Sequence, residues 1–323
     1  MTSHAIDAKA GKPLVVIAIG GNSLIKDREH MSVLDQYRAA GETSRHIAPI
    51  VNKGYRVVVT HGNGPQVGFI LLRSELAKDR LHQVPLANCV ADTQGSIGLQ
   101  IAQSLRNEFL RHGQDKQVVA IITQVVVDPD DPSFKEPSKP IGPFMNEAEA
   151  RQHAEDDGWA IAEDAGRGWR RLVPSPQPLE IVELATIRDM LDRGTLVVAA
   201  GGGGIPVVYK PDGTLRPRPA VIDKDASSCL LACELGASVF IISTDVDKVA
   251  LDFGTSRQVS IDQMNAAECR RYLKEGHFAA GSMQPKIESA LTFLERGGRE
   301  VIITQPHHLD GALHGIYGTH IVP

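Results

Sequence analysis

The sequence predicts an α/β fold in which a largely parallel sheet is covered by helices on both faces. Short apolar segments without polar alternation recur along the chain, which is typical of strands buried on both faces. Stretches with the apolar spacing of helices separate these segments, and such alternation indicates parallel strands joined by helical crossovers. Glycines follow directly after three of the segments. The 323 residues suffice for one large α/β domain or two ordinary ones.

Six segments carry the strand prediction, and each is rich in β-branched and other apolar residues. They are residues 14–19, 56–60, 118–122, 196–200, 239–243 and 301–304. Two helices are supported by their apolar spacing. Ile97, Ile101, Leu105 and Phe109 recur every fourth residue, and Ile287, Ala290, Leu291 and Leu294 follow the i, i+3, i+4, i+7 pattern. We therefore expect a sheet sandwiched between helical layers.

Two segments interrupt this alternation. Residues 128–178 contain eight of the nineteen prolines and both tryptophans, and a long irregular segment inside a compact domain is usually functional. We interpret 128–178 as an inserted lid subdomain within a domain spanning residues 14–323. Residues 206–222 predict a β-hairpin with its turn at 211–213. Residues 1–13 predict a polar, flexible N-terminal segment.

Charge and composition exclude several classes of protein. The chain has 34 basic and 39 acidic residues, a net charge of −5, whereas a nucleic-acid binder usually carries a basic face. The longest early apolar run, residues 14–19, is much shorter than the roughly 18–20 residues of a membrane span and lacks the features of a signal peptide. We expect binding to neither nucleic acid nor membrane.

The four cysteines do not predict a disulfide framework in a chain of this length. Cys229 and Cys233 lie four residues apart and would share one face of a helix, a spacing that could in principle bind a metal. No histidine or further cysteine close by in sequence completes such a site. Buried, small apolar side chains are the favoured interpretation. Free cysteines of this kind indicate a reducing cytoplasm.

Glycine clusters follow three of the predicted strands. The first is Gly20 and Gly21, the second lies within 61–68, and the third is 201–204. In open α/β sheets, ligands bind beyond the carboxyl ends of the strands. Glycine there lets backbone N–H groups come close to an anion, often with a helix N-terminus behind them. Any one cluster would fit a simple tight turn, but three at one edge of a sheet favour a phosphate-binding site.

The usual phosphate-binding and hydrolase motifs are absent. No G-x-x-x-x-G-K-[ST] sequence occurs, and the spacing of Gly62, Gly64 and Gly68 does not match a dinucleotide fingerprint. The Asp-Phe-Gly triplet at 252–254 resembles the magnesium motif of protein kinases, but no His-Arg-Asp loop precedes it. G-x-S-x-G and H-E-x-x-H are also missing, which excludes the common hydrolase and zinc-protease classes.

Charged side chains lie close to the glycine clusters. The Asp-Lys-Asp sequence at 223–225 opens a predicted helix that Asp225 is placed to cap, and Asp245 ends the following strand. Lys286 falls in the first turn of the last long helix, where a cation opposes the helix macrodipole. Lys139 lies in a loop between two prolines, which restrict the backbone on either side. Taken singly, each lysine also fits a solvated surface position.

Seven motifs together resemble those of the carbamate kinases, in the same order and over nearly the whole chain. They are Gly-Gly-Asn at 20–22, Thr-His-Gly-Asn-Gly-Pro-Gln-Val-Gly at 60–68, Lys-Pro-Ile-Gly-Pro-Phe at 139–144, Val-Pro-Ser-Pro at 173–176, Gly-Gly-Gly-Gly-Ile-Pro at 201–206, Val-Ile-Asp-Lys-Asp at 221–225 and Gly-Ser-Met-Gln-Pro-Lys at 281–286. Seven ordered motifs are a more specific signal than any single match.

The resemblance implies a fold and an activity. The fold is a three-layer αβα sandwich of the amino-acid-kinase type, with an open sheet, a protruding lid at 128–178 and assembly as a homodimer. The activity is reversible phosphoryl transfer between ATP and carbamate in the presence of Mg²⁺. In this family the reaction usually runs toward ATP, from ADP and carbamoyl phosphate, during arginine breakdown. No general base is required, because the attacking carbamate oxygen is already anionic.

The resemblance also implies roles for individual residues. Lys224 and Lys286 match lysines on the nucleotide phosphates and the transferred group, and Lys139 matches the lid lysine over the carbamate side. Asp225 matches an aspartate that orients the lysines and lies near magnesium. The loops that hold carbamate and the γ-phosphoryl group through backbone donors are matched by Gly20, Gly21, Asn22, Gly62, Asn63 and Gly64. The nucleotide side is matched by Gly202, Gly203, Gly204, Asp223, Asp245 and Met283.

One segment departs from the pattern of the family. Members usually carry Val-Tyr-x-Asn in the adenine pocket, whereas this chain has Val249, Ala250, Leu251 and Asp252. The change removes a stacking surface of about 1 kcal/mol and bears on nucleotide affinity and base preference. Two alternatives to a carbamate kinase remain. One is a sister acid kinase acting on another carboxylate, and the other is a catalytically weak regulator that binds nucleotide or carbamoyl phosphate.

Overall fold

The computed structural model describes residues 13–21, 24–25, 29–164 and 166–323. The predicted N-terminal segment 1–13 therefore lies outside the described residues except for Pro13, and so does the predicted site residue Asn22.

The described residues form α-helices and β-strands in alternation. The helices are α1 (Val33–Asn52), α2 (Gly64–Leu76), α3 (Leu86–Arg111), α4 (Glu147–Asp157), α5 (Leu184–Asp192), α6 (Lys224–Leu235), α7 (Ala266–Lys274), α8 (Met283–Glu295) and α9 (Leu309–Ala312). The strands are β1 (Leu14–Ile19), β2 (Arg56–His61), β3 (Val118–Ala120), β4 (Gln124–Val127), β5 (Lys139–Met145), β6 (Ala160–Glu163), β7 (Trp169–Val173), β8 (Pro178–Ile181), β9 (Leu196–Val198), β10 (Ile205–Tyr209), β11 (Leu215–Pro217), β12 (Val239–Ser243), β13 (Ala250–Leu251), β14 (Val259–Ser260), β15 (Gln263–Asn265), β16 (Glu300–Thr304) and β17 (Thr319–Val322).

The largest sheet has eight strands in the order β15-β17-β16-β12-β1-β2-β9-β3. Its strands pair in parallel except where β17 runs antiparallel to β16. In the centre, Val16 is in register with Val58 on one side and Phe240 on the other. All six predicted strands belong to this sheet, which confirms the predicted largely parallel α/β fold. Two of them, β3 and β9, end two residues earlier than predicted.

Each face of this sheet is covered by its own helices. Along β1, Val16 and Ala18 pack with residues of α5, α6, α7 and α8, whereas Val15 and Ile17 pack with residues of α1, α3 and α9. Successive side chains of a strand point to opposite faces, so burial on both faces requires the unbroken apolar sequence of β1. The apolar stripes of α3 and α8 are buried in these two layers, as their spacing predicted.

The predicted insert forms a small sheet of its own. Strands β5, β7 and β6 make an antiparallel three-stranded sheet, with α4 between β5 and β6 in the chain. In the chain it lies between β4 and β8, which belong to a second, four-stranded sheet in the order β11-β10-β4-β8. The hairpin of β10 and β11 is confirmed, but its return strand ends at Pro217 rather than at Ile222. Arg218 N–H still donates to the Pro206 carbonyl at 2.9 Å, but Pro219 carries no N–H group with which to continue the ladder.

None of the helices in the described ranges combines the length and apolar character needed to cross a membrane.

Candidate active site

The glycine-rich and charged segments meet at the carboxyl edge of the large sheet. Strands β1, β2, β12 and β16 lie side by side and end at the loops that begin with Gly20, Gly62, Thr244 and Gln305. A cleft of about 2100 Å³ opens there, bounded on one side by the insert. Gly64, Lys139, Asp223 and Asp245 are the predicted site residues that line it. This is the edge at which open α/β sheets bind ligands.

The N-terminus of α6 gathers the predicted lysines. Lys224 Nζ donates to Asp225 Oδ1 at 2.5 Å, and Lys286 Nζ, from the first turn of α8, donates to Asp225 Oδ2 at 2.9 Å. Lys139 Nζ, from β5 of the insert, donates to Asp223 Oδ2 at 3.0 Å. We call these five residues the lysine cluster. Its three lysines come from β5, α6 and α8, and the structure brings them together.

The two aspartates have different local tasks. Asp223 is the N-cap of α6, because its Oδ1 accepts hydrogen bonds from the backbone N–H of Asp225 at 2.9 Å and of Ala226 at 3.2 Å. The prediction that Asp225 caps this helix is therefore wrong. Asp225 lies inside the first turn, where its buried carboxylate is free to hold two ammonium groups instead.

Burial and charge shift the pKa values of the cluster. Burial raises the pKa of Asp225, but the attraction of Lys224 and Lys286 outweighs it and holds that pKa well below the ordinary value. The pKa of Asp223 is lowered likewise, with Lys139 as the main attraction against burial. Both carboxylates are therefore ionised at neutral pH. Three ammonium groups against two carboxylates leave the cluster with an excess positive charge.

The two lysines that share Asp225 shift in opposite directions. Burial lowers the pKa of Lys224, and the positive charge of Lys286 lowers it further. For Lys286, burial also opposes the charge, but attraction to Asp225, Asp223 and Asp245 prevails and raises its pKa. The difference follows from position: Lys286 faces more carboxylates, while Lys224 is enclosed beside another cation.

The loops after β1 and β2 are in close backbone contact. A Cβ atom on Gly62 would lie 2.7 Å from the backbone nitrogen of Gly21, so glycine is required at 62. The Gly20 N–H donates to the Ser243 carbonyl at 3.1 Å and the Gly62 N–H to the Ile19 carbonyl at 2.9 Å. Both N–H groups are thus bonded within the protein, and these glycines allow the two loops to pack closely. The predicted substrate-binding roles of Gly20 and Gly62 stay predictions.

The N-terminus of α2 offers further backbone N–H donors. Asn63 is the N-cap residue, but its side chain makes no capping hydrogen bond; its Nδ2 donates to Thr93 Oγ1 at 2.8 Å instead. The first-turn N–H groups of Gly64 and Gln66 consequently have no acceptor within the helix. Backbone N–H groups at such a helix N-terminus bind anions. Gly64 lines the cleft and keeps its predicted position, whereas Asn63 is buried beneath it.

Residues 201–204, here called the tetraglycine turn, pack against these loops and do not line the cleft. A Cβ on Gly201 would lie 2.3 Å from His61 Nε2, and one on Gly202 would lie 1.9 Å from Asn63 Nδ2. Gly202 also has φ +64°, which only glycine adopts readily. Contact between Gly202, Gly203 or Gly204 and a nucleotide stays a prediction, since the three glycines are buried.

Sequence reasoning missed the residues that hold the tetraglycine turn. Gln94, from α3, donates through Nε2 to the carbonyls of Thr123 at 3.1 Å and Gly201 at 3.0 Å, and its Oε1 accepts from the Thr123 N–H at 2.7 Å. The Thr123 hydroxyl accepts from the N–H of Ala200, which has φ +49°. Every polar atom of the Gln94 amide group is thus bonded, and this network fixes the turn.

His61 is the histidine closest to the glycine loops. Burial lowers its pKa to about 4, so its ring is neutral at neutral pH. Its Nδ1 lies 3.0 Å from the Gly62 carbonyl, which can only accept, so Nδ1 carries the proton. A neutral ring with its proton committed to a carbonyl acts as packing for Gly201 rather than as a base. No sequence motif signalled this role.

The insert is joined to the body through α2. A Cβ on Gly68 would lie 2.7 Å from the Cα of Gly142 in β5, so the two backbones touch. Ile141 and Val173 of the insert are buried against Val67 and Val90 of the body. This contact fixes the base of β5 and so places Lys139 over Asp223.

The segment that departs from the family pattern has a distinct local structure. Ala250 and Leu251 form β13, which pairs with β14. Asp252 follows with φ +48°, and its Oδ1 lies 3.2 Å from Nδ1 of His277. The Asp252 carboxylate is therefore engaged within the protein. Met283 is the first residue of α8, one turn before Lys286.

The residues present do not by themselves form a magnesium site. No group of three histidine, cysteine or acidic side chains within the described ranges could hold a metal ion. Both oxygens of Asp225 accept from lysines, and both oxygens of Asp223 are likewise bonded. Magnesium is usually bound through one or two carboxylates together with substrate phosphates and water. The observed arrangement fits Asp225 as an anchor for ammonium groups, and its metal role stays a prediction.

The family model and the most similar proteins found by comparison indicate the same family. Residues 13–305 match the family model of the amino acid kinase family. The chain is 50% identical over 315 residues to the carbamate kinase-like protein YahI of Escherichia coli K12, covering 96% of this chain and 99% of that protein. It is 44% identical over 311 residues to the carbamate kinase of Pyrococcus furiosus, covering 96% and 99%.

A solved structure shows the same fold. The carbamate kinase of Giardia lamblia bound to AMP-PNP superposes with a TM-score of 0.89 at 38% sequence identity, covering 96% of this chain and 98% of that one. A structure from Aeropyrum pernix K1 gives a TM-score of 0.90 at 41% identity. The likeness extends across the large sheet, the helical layers and the insert, because it covers nearly the whole of each chain.

Proposed function

Since the chain belongs to the amino acid kinase family and matches carbamate kinases over almost its whole length, we propose that it transfers a phosphoryl group reversibly between ATP and carbamate. The products of the forward reaction are ADP and carbamoyl phosphate. The observation that carries the proposal is the lysine cluster, in which ammonium groups from β5, α6 and α8 converge beside the cleft.

The lysine cluster suits the electrostatic demand of phosphoryl transfer. The transferred group spreads negative charge over its equatorial oxygens, and catalysis consists mainly of positioning and charge stabilisation. One ammonium group about 4 Å away contributes on the order of 4 kcal/mol at an effective dielectric constant near 20, before desolvation is subtracted. Lys139, Lys224 and Lys286 exchange part of their hydrogen bonding from the aspartates to the phosphoryl oxygens when substrate binds.

The aspartates keep the lysines in place between turnovers. Without Asp225, the ammonium groups of Lys224 and Lys286 would repel each other and move apart. The bond of Asp223 to Lys139 joins the insert to α6 across the cleft, so this bond must loosen for substrate to enter. The carbamate oxygen attacks without a general base, since it is already anionic, and the neutral, buried His61 takes no part in proton transfer.

Magnesium accompanies the nucleotide in this proposal. Mg²⁺ would enter as part of the nucleotide substrate and would supply positive charge that stabilises the phosphate groups. We assign it no direct ligand in the protein. The proposal also includes the expected direction toward ATP in arginine breakdown, a homodimeric assembly and a cytoplasmic location, the last supported by four free cysteines.

The proposal is tested by ATP formation. Purified protein mixed with ADP, Mg²⁺ and carbamoyl phosphate is expected to form ATP, and the same mixture with EDTA is the control. A panel of carboxylic acids with ATP separates a carbamate kinase from a sister acid kinase. Absence of ATP from protein that is folded by circular dichroism would contradict the proposal, and binding of ADP without turnover would favour a regulator.

A further inference from the structure

Gln66, in the first turn of α2, carries a buried hydrogen-bond acceptor with no partner. The residue is 6% exposed, and its Oε1 atom accepts no hydrogen bond within the described residues. Buried amide oxygens are rarely left unpaired, because each unpaired group lowers the stability of the folded protein. An unpaired oxygen next to a ligand site therefore requires an explanation.

The hydrogen-bond network settles which atom of the Gln66 amide is unpaired. Gln36 Nε2, on α1, donates to the backbone carbonyl of Met31 at 3.2 Å. A carbonyl can only accept, so the NH₂ group of Gln36 faces Met31 and its oxygen faces Gln66. Gln66 Nε2 donates to that oxygen at 3.3 Å. The orientation of both amides thus follows from one backbone carbonyl, and Oε1 of Gln66 remains without a donor.

This amide lies directly behind the wall of the cleft, next to residues that line it, although Gln66 itself is not a lining residue. Gly64 and Pro65, the two residues before Gln66, line the cleft, and so does Ala39, one turn beyond Gln36 on α1. The backbone N–H groups of Gly64 and Gln66 form the anion-binding N-terminus of α2. Gln66 therefore combines a backbone donor and a side-chain acceptor in the turn that faces the predicted carbamate loops.

The chemistry of carbamate calls for such an acceptor. Lysine ammonium groups and backbone N–H groups bind the oxygen atoms of carbamate and of the phosphoryl group, but they repel an NH₂ group. The carbamate nitrogen lone pair is delocalised into the carboxylate, so its NH₂ group can only donate. A site that distinguishes carbamate from a methyl or hydroxyl analogue must offer an oxygen to these N–H bonds.

We propose that Gln66 Oε1 accepts a hydrogen bond from the amino group of carbamate and carbamoyl phosphate, and that Gln66 thereby determines specificity for them. This inference rests on the proposed function. Ser243 Oγ and Thr304 Oγ1 are also buried and unpaired, but they are enclosed in the sheet. A hydroxyl can rotate to donate to a nearby carbonyl, whereas an amide oxygen cannot donate, which favours Gln66 as the acceptor.

Gln66→Met tests this role, because methionine keeps the unbranched shape and removes the acceptor. ATP formation from ADP is measured with carbamoyl phosphate and with acetyl phosphate, which has a methyl group in place of the amino group. We expect kcat/KM for carbamoyl phosphate to fall about tenfold while that for acetyl phosphate changes less than about twofold. The ratio of the two therefore falls, and KM for ADP stays unchanged.

Gln100→Met is the matched control. Gln100 on α3 is also a buried glutamine with an unpaired Oε1, but none of residues 98–102 lines the cleft, whereas Gln66 directly follows the cleft-lining residues Gly64 and Pro65. We expect this substitution to leave the substrate ratio unchanged. Gln36→Met serves as a second variant, because it removes the anchor that orients Gln66. We expect it to lower the ratio by a smaller factor than Gln66→Met.

The outcomes separate this inference from the proposed function. Normal activity of the unsubstituted protein, with an equal loss on both phosphoryl donors in Gln66→Met and Gln36→Met, would overturn the specificity role alone. An unchanged ratio in both variants would overturn it as well. Failure of the unsubstituted protein to form ATP from carbamoyl phosphate would overturn the proposed function, and this inference with it.

Discussion

The lysine cluster and the tetraglycine turn lie at the same edge of the sheet but are held by different kinds of interaction. The cluster is charged, and its ammonium groups are held by two carboxylates that they can leave for a ligand. The turn is neutral, and backbone groups bonded to Gln94 and Thr123 hold it in one shape. Side chains can exchange partners, whereas a buried backbone network cannot without local unfolding. Substitutions in the cluster should therefore change turnover, and substitutions in the turn should change stability.

The largest expected effect comes from Lys286→Ala. Removing one positive group from the transferred phosphoryl is expected to lower kcat about 10²- to 10³-fold, with little change in the affinity for ADP. Lys274→Ala is the control, because Lys274 is exposed on α7 outside the cleft. Steady-state kinetics and ADP titration measure the two quantities. A loss confined to ADP affinity would show that Lys286 binds nucleotide rather than the transferred group.

The next effect concerns the tetraglycine turn. Gly201→Ala places a Cβ against His61 and Gln94 and is expected to lower the free energy of unfolding by about 1–3 kcal/mol. Gly95→Ala, at an exposed position of α3, is the control: no atom lies within 4 Å of its added Cβ, so it should raise stability by about 0.5–1 kcal/mol. Urea denaturation measures both. If Gly201→Ala were as stable as the unsubstituted protein, the turn would not be the rigid element described.

Lys139→Ala should distinguish the contribution of the insert to substrate binding from that of the body. Lys139 reaches the cleft from β5, so its loss is expected to raise KM for carbamoyl phosphate about tenfold or more, while ADP binding is retained. Lys135→Ala, an exposed lysine of the same insert, is the control. An equal loss of ADP binding in the variants of Lys139, Lys224 and Lys286 would contradict the division of roles among the lysines.

The smallest expected effect comes from His320, which lies outside both regions. Its substitution should change the stability of the protein but not its catalytic rate. His320 Nδ1 lies 2.6 Å from Glu300 Oε1, and its Nε2 lies 3.2 Å from the Tyr317 carbonyl. Both partners are acceptors, so the protonated ring is favoured and the pKa of His320 is raised, chiefly by the bond to Glu300. Its contribution, up to about 1 kcal/mol, is fully present below the ordinary value near pH 6.5. It is lost as pH rises through the higher pKa of the folded state.

The measurement for His320 is the melting temperature as a function of pH. The unsubstituted protein should lose more stability than His320→Gln between about pH 6 and 8.5. Because His320 does not line the cleft, kcat at a fixed pH should be the same in both proteins. If the melting temperatures of the two proteins changed in parallel across this range, the contact with Glu300 would stabilise the neutral and the protonated ring of His320 equally.

The sequence predicted the central sheet because burial on both faces leaves unbroken apolar segments. Strands β13, β14 and β15 have two or three residues each, which is too short for any periodic signal, and they were missed. The N-cap of α6 was misplaced for a related reason. Asp223 and Asp225 both precede the apolar part of the helix, and only the backbone geometry shows that the first turn starts at Lys224.

The sequence predicted the lysines of the site but not the side chains that support it. The lysines lie in motifs whose resemblance to a family places them in one cleft, and the structure brings them together. Gln94 and Thr123 lie outside these motifs, and Gln66 lies in the motif at 60–68 without an assigned role, because the roles of all three depend on contacts with chain segments far away in sequence. The donor roles of Gly20 and Gly62 stay predictions, because both N–H groups bond to backbone carbonyls in this structure, which a sequence does not reveal.

The most direct test is a crystal structure with ADP, Mg²⁺ and aluminium fluoride, a mimic of the transferred phosphoryl group. We predict that the Nζ atoms of Lys139, Lys224 and Lys286 all lie within hydrogen-bond distance of one fluoride group. A structure in which any of the three remains bonded only to its aspartate, away from the mimic, would contradict the claim that these lysines act on a single migrating group.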